Sequence, residues 1–265
     1  VAIVKGSARK SASSNHPPYR LEYGGTSVGL KVGEKMSLYN LLVALLLCSG
    51  NDAANVLAEH VSGSVPLFME ELSLYLRNKG IKESLFLNPH GLHTENHMTT
   101  AYEMAQISRL AMNFPVFREI VAKVKHNKPE TNKQPEAIYV QHNRLLKKGP
   151  YFYPKAIGVK TGYTSTSGYT LVAAAEHEGR TLLAVLLGAS DMGARYRDVT
   201  NLFEAAFSEE KTERNLFANR SDRFTKEIEG ASCLLDAQLL DNVKIAYFPS
   251  EEPHCHAHVK WKSVS

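Results

Sequence analysis

The stretch Leu41–Cys48, LLVALLLC, most constrains how this 265-residue chain can fold. Leu38, Leu41, Leu42, Leu45 and Leu46 recur at the i, i+3, i+4, i+7, i+8 spacing of one helical face. Val43, Ala44 and Leu47 fill the other faces, so a helix over 37–47 has no polar side to turn toward water and is expected to be buried all round. The run falls well short of the roughly 18 apolar residues that span a bilayer. It also lies inside the chain, so it is not a signal peptide. Other elements must therefore pack around it.

Ser49-Gly50-Asn51-Asp52 breaks that helix, and Asn51 or Asp52 is expected to cap the next one, AANVLAEHV. A third helix is predicted over 65–79, stopping at Gly80. A fourth runs from a Thr99/Thr100 cap to Met112, and a fifth over 115–125 starts with Pro115 in its first turn. Upstream, VAIV begins a strand, SASSNHPPY has loop composition, and SVGLKVGE reads as a short extended piece with a glycine turn. After residue 150 the period changes. AIGVKTG, SGYTLVAAAEHEG and RTLLAVLLGAS read as three strands, with EHEGR as a hairpin turn and a closing helix over about 193–207. Polar SEEKTERN marks a boundary. The fold class is α+β: residues 1–207 form a helical cluster against antiparallel strands, and 208–265 form a small β-rich module.

The formal net charge is +4, and the positive residues gather in 123–133 with Lys147 and Lys148 nearby. No aromatic interleaving or nucleic-acid motif accompanies them, so they read as a solvated face or loop and no nucleic-acid partner is expected. The three cysteines, Cys48, Cys233 and Cys255, are too few and too scattered for a disulfide framework. The first residue is Val rather than Met, which reads as the start of a piece of a longer precursor.

Two short motifs carry chemistry. Ser49-Gly50-Asn51 lies at a helix break, where rigid neighbours can hold both side chains toward a cleft. Lys160-Thr161-Gly162 ends a predicted strand. It offers a cation and a hydroxyl suited to a substrate carboxylate, and the missing side chain at Gly162 lets a substrate lie alongside the strand. Each motif alone is also what a cap or a turn looks like; their order and setting strengthen both.

Together with NPHGLH, NRLL and GVKTGYTSTSGYTLVAAA, these stretches closely resemble the low-molecular-mass penicillin-binding proteins that are D-alanyl-D-alanine carboxypeptidases, over roughly residues 1–207. The resemblance implies the penicillin-binding/β-lactamase-like transpeptidase fold and a β-rich second domain. It implies a serine enzyme that trims the terminal D-alanine from peptidoglycan pentapeptide stems through an acyl-enzyme, in the periplasm or otherwise outside the cytoplasmic membrane. β-Lactams would acylate it, and no metal or organic cofactor is implied. Peripheral membrane association would come from a segment not present in this chain. Carried over residue by residue, Ser49 shuttles a proton between the base lysine and the leaving amine. Asn51 binds the substrate amide and orients that lysine. Lys160 and Thr161 hold the terminal carboxylate, and the Tyr163 N–H supplies an oxyanion donor. His90 matches a cleft-lining position, and Asn143 is a weaker candidate.

The family nucleophile lies in S-x-x-K, and Ser7-Ala8-Arg9-Lys10 fits that pattern. The serine must start a buried helix in which burial lowers the lysine pKa. After Lys10 the chain reads Ser11-Ala12-Ser13-Ser14-Asn15-His16-Pro17-Pro18, which will not sustain one. Ser7 is therefore read as a loop serine, and the nucleophile is expected upstream of Val1, leaving the chain as given inactive. A D,D-endopeptidase or β-lactamase on the same fold, and a noncatalytic peptidoglycan-binding relative, are the alternatives. His254, His256 and His258 alternate as along one strand face and are read as solvent-facing rather than metal-binding.

Overall fold

A computed structural model describes residues 1–10, 19–22, 25–219, 222–255 and 259–261. The chain divides into two units, Val1–Phe203 and Glu204–Ser265, where the sequence suggested a boundary after residue 207.

The first unit opens with β1 (Ala2–Ile3), a 3-10 turn at Gly6–Ala8 and β2 (Lys35–Met36), which pairs antiparallel with β1. Five helices come next: α1 (Leu38–Cys48), α2 (Asn51–Ser62), α3 (Val65–Asn78), α4 (Ala101–Met112) and α5 (Pro115–Ala122). After them come β3 (Lys125–Lys128), β4 (Ala137–Val140), a 3-10 turn at Arg144–Leu146, β5 (Ala156–Thr164), β6 (Gly168–His177), β7 (Arg180–Ala189) and α6 (Ala194–Phe207), whose last residues from Glu204 on fall in the second unit.

Ser37 caps α1 by accepting the Asn40 N–H, and Ser64 and Thr100 do the same for α3 and α4. Leu41, Val43, Ala44 and Leu47 of α1 are fully buried against β1, α2, Ile120 and Tyr139. Leu42, Leu45 and Leu46 are only half-buried and Leu38 is exposed, so burial all round is reached on part of the helix surface only. The second helix begins two residues earlier than its apolar pattern suggested. Gly50 is its N-cap and makes no side-chain cap bond, so neither Asn51 nor Asp52 serves as the cap.

Two expectations for residues 115–140 fail for a common reason. The fifth helix stops at Ala122 instead of 125 because the Gln141 amide takes the carbonyl of Val121 at 3.2 Å, one that a further turn would need. The chain then turns into the β3–β4 hairpin, which its polar KHNK sequence did not reveal. Nor is all of this basic stretch solvated: Lys128 is 2% exposed, its ammonium donating to the carbonyls of Pro129 and Pro135.

The three long strands form an antiparallel sheet in the order β5-β6-β7. Glu178 and Gly179, both at positive φ (49° and 76°), make the tight turn between β6 and β7 that suits strand twist. Ala173, Ala174 and Ala175 of the central strand are fully buried, and Val159, Ala174, Met112 and Val121 join the sheet to α4 and α5. Among the described residues β5 pairs only with β6, so its other edge is open.

The second unit holds two antiparallel pairs, β8 (Thr212–Phe217) with β11 (Val243–Tyr247) and β9 (Arg223–Lys226) with β10 (Leu235–Gln238). His254 lies in irregular chain rather than a strand, and His256 and His258 lie outside the described residues, as does Ser11–Pro18. Among the described residues no group of three His, Cys, Asp or Glu is placed to hold a metal, and no helix is long and apolar enough to cross a membrane.

Candidate active site

The first helix ends in a left-handed turn at Ser49 (φ 55°, ψ 40°), a conformation that costs a non-glycine residue about 1–2 kcal/mol. Gly50 N–H reaches back to the Ala44 carbonyl, and Asn51 N–H is fixed on the Thr26 carbonyl. Together these bonds swing the Ser49 side chain off the helix axis and hold it between two rigid helices.

Asp52, 1% exposed, anchors this junction. One carboxylate oxygen accepts from Val28 N–H (3.1 Å) and Ala53 N–H (3.1 Å), and the other from the Ser27 hydroxyl (2.7 Å) and Leu30 N–H (2.9 Å). Residues 27–30 are thereby clamped onto the start of α2 without any strand pairing. Sequence reading treated Asp52 only as a cap, although its position directly after the SGN motif was a usable signal.

From β5, the Lys160 ammonium donates to the Ser49 hydroxyl and to the Thr161 carbonyl (2.7 Å). Burial, followed by the charge of Arg195, lowers the Lys160 pKa from its ordinary value to about 8. At neutral pH the group is mostly cationic yet able to give up its proton. Ser49 accepts from Lys160 and keeps its own hydroxyl proton to donate elsewhere.

Arg195 is the main residue that sequence reading missed; within DMGARYRD nothing sets it apart from other arginines. It is 7% exposed and donates from one nitrogen to the carbonyls of Gly162 (3.0 Å) and Thr170 (3.2 Å). Those two residues are register partners across β5 and β6. Two pairs further on, Thr164 N–H is taken by Ser167 Oγ at the hairpin turn, so even-numbered β5 amides face β6. The amide groups of Thr161 and Tyr163 then point to the open edge, where an extended ligand could add as a strand.

Gly162 answers to packing. A Cβ there would lie 2.4 Å from Thr170 Oγ1, so the missing side chain makes room for β6 rather than for a ligand at the edge. Gly162→Ala is expected to lower the melting temperature by a few degrees, equivalent to about 1 kcal/mol. Adding Thr170→Ala should restore it; unchanged melting of Gly162→Ala would contradict the clash.

Asn51, 8% exposed, faces Gly25, where a Cβ would stand 3.0 Å from its Nδ2 and 3.6 Å from Leu92. The loop carrying His90 therefore borders this junction. The ring itself is turned into its own loop, with Nδ1 accepting Leu92 N–H at 3.1 Å, and burial lowers its pKa to about 4, keeping it neutral. Asn143 is fully buried and caps the turn at 144–146 through Leu145 N–H. Ser7 sits in the 3-10 turn. Its hydroxyl donates to Glu59 at 2.6 Å and its carbonyl accepts from Asn55, so it ties the N-terminal segment to α2.

A family model described as D-alanyl-D-alanine carboxypeptidase matches residues 7–191. Among curated relatives, Bacillus subtilis DacF is 32% identical over 211 residues, 80% of this chain and 53% of its own. Mycobacterium tuberculosis DacB2 is 36% identical over 186 residues, 68% of this chain and 62% of its own. The chain thus spans about half to three fifths of the length of these relatives. Among solved structures, the Streptomyces K15 DD-transpeptidase superposes with a TM-score of 0.64 at 27% identity, covering 69% of this chain and 72% of that one. The Mycobacterium tuberculosis D-alanyl-D-alanine carboxypeptidase gives 0.66 at 29%, covering 78% and 74%. The fold is therefore that of the penicillin-binding DD-peptidases. The chain belongs to the D-alanyl-D-alanine carboxypeptidase family.

Proposed function

We propose that this chain forms the substrate-binding part of a serine-type D-Ala-D-Ala carboxypeptidase, which removes the terminal D-alanine of peptidoglycan stem peptides through an acyl-enzyme. The observation that carries this reading is the Lys160 ammonium set between the Ser49 hydroxyl and the open edge of β5. In this reading Lys160 and Thr161 hold the terminal carboxylate, and Tyr163 N–H polarises the scissile carbonyl. Asn51 binds the substrate amide, and Ser49 relays a proton to the leaving D-alanine. His90 lines the border of the cleft. Such an enzyme works where peptidoglycan is exposed, on the outer face of the cytoplasmic membrane, and β-lactams acylate the same serine. In this reading that serine is one other than Ser7, a reading supported by the Ser7 hydroxyl donating to Glu59.

The test uses the full-length protein. It is expected to release D-alanine from N-acetyl-Lys-D-Ala-D-Ala and to be labelled covalently by a fluorescent penicillin. Ser7→Ala should be labelled as fast as wild type, and peptide mapping should find the adduct at a serine other than Ser7. No D-alanine release overturns the carboxypeptidase reading; an adduct on Ser7 overturns the assignment of roles.

A further inference from the structure

Tyr163 directly follows the Lys-Thr-Gly motif and is 60% exposed, although it lies on a rigid strand beside the cleft. It is not a loose surface ring. One face packs on Tyr169, its register partner on β6, with centroids 4.5 Å apart. The Arg195 guanidinium lies 5.2 Å from the Tyr169 ring and 4.9 Å from Tyr196, and Tyr196 stacks on Tyr151 at 5.0 Å. The chain thus builds a ladder of four aromatic rings and one guanidinium. It ends, on β5, in the ring of Tyr163, most of which is open to solvent. A ring held this way loses little conformational freedom when a ligand covers it.

Resting on the function proposed above, the ligand's direction follows from the strand. With the terminal carboxylate at Lys160 and Thr161 and the scissile carbonyl at Tyr163 N–H, the peptide runs antiparallel to β5. Residues along an extended chain are about 3.3 Å apart. The residue before the two D-alanines therefore comes level with the end of β5, beside the exposed Tyr163 ring. We infer that Tyr163 is a specificity-determining residue: its ring receives the aliphatic stem of a long side chain at the third position from the peptide's C-terminus. Methylenes laid on an aromatic face suit the long side chain of a diamino acid, whose charged end stays in water.

The experiment compares kcat/KM of the full-length enzyme for N-acetyl-Xaa-D-Ala-D-Ala, with Xaa alanine, norleucine or lysine. Wild type is expected to prefer both norleucine and lysine over alanine. Tyr163→Ala should cut that preference about fivefold, the scale of half-burying two or three methylenes, while Tyr163→Phe retains it. Comparing ratios removes any general loss from disturbing the oxyanion donor on the same residue. A preference equal in wild type and Tyr163→Ala, or absent in wild type, overturns the inference while leaving the carboxypeptidase reading intact. A preference for lysine alone also overturns it, because the ring would then read charge rather than the stem. Failure to release D-alanine from any of the three peptides overturns both readings.

Discussion

Lys160→Met in the full-length protein is expected to slow acylation by benzylpenicillin about 10³-fold, the upper end of what one preorganised electrostatic contact supplies in an acyl-transfer site. The loss has two sources. The cation that would meet the ligand carboxylate is gone, and Ser49 loses the donor that orients its hydroxyl. Stability should move the other way. Burial and Arg195 hold the Lys160 pKa at about 8, below the ordinary lysine value, so the folded protein binds this proton less well than the unfolded chain does. The cation therefore costs the ligand-free protein stability at all pH values below about 8, and that cost is relieved as pH rises from about 8 toward 10.5. Methionine removes it, so the variant should melt at or above the wild-type temperature at pH 7. A variant that is both slow and unstable would make Lys160 a structural residue instead. Affinity for an anionic ligand should be flat below pH 7 and fall about tenfold per unit above pH 8 in wild type only, as the ammonium deprotonates. Kinetics of fluorescent-penicillin labelling, melting curves and a pH series of competition by a non-acylating carboxylate check the three parts.

The sequence was legible where local chemistry and packing agree. The Thr100 cap, the turn in EHEGR and the apolar β5–β7 strands are short-range signals that the structure uses, while the equally local Ser37 and Ser64 caps went unread. The meeting of Ser49 with Lys160, 111 residues apart, rested on motif order and setting, because nothing local to either residue announces the other. What stayed hidden depends on long-range polar contacts. The end of α5 is set by Gln141, a residue nineteen positions beyond Ala122, and the β3–β4 hairpin is polar enough to pass for loop. Arg195 acts by bonding two carbonyls of the sheet and lowering the pKa of Lys160, and neither effect leaves a periodic trace. Ser7 shows the converse error a pattern invites: S-x-x-K is present, but its serine serves Glu59.

Asp52→Ala is expected to be among the most damaging single changes to the fold. It removes a carboxylate that is 1% exposed and leaves the Ser27 hydroxyl and the Val28 and Leu30 N–H groups without their acceptor. Stranding such donors costs about 1–3 kcal/mol each where water cannot reach them, and breaking a buried charged network typically totals about 3–5 kcal/mol. A fall in melting temperature of about 10 °C should follow. Asp52→Asn keeps the shape and one acceptor oxygen but turns an NH2 toward two of the donors, so roughly half the loss should remain. Acylation should also slow at temperatures well below the melt, because the 27–30 loop and the start of α2 carry Asn51 and adjoin Ser49. The decisive measurement is a double-mutant cycle with Ser27→Ala. If the clamp is one unit, Ser27→Ala costs about 1 kcal/mol in wild type and close to nothing once Asp52 is gone. Additive losses would mean that Ser27 and Asp52 stabilise the fold independently and that the clamp is not one unit.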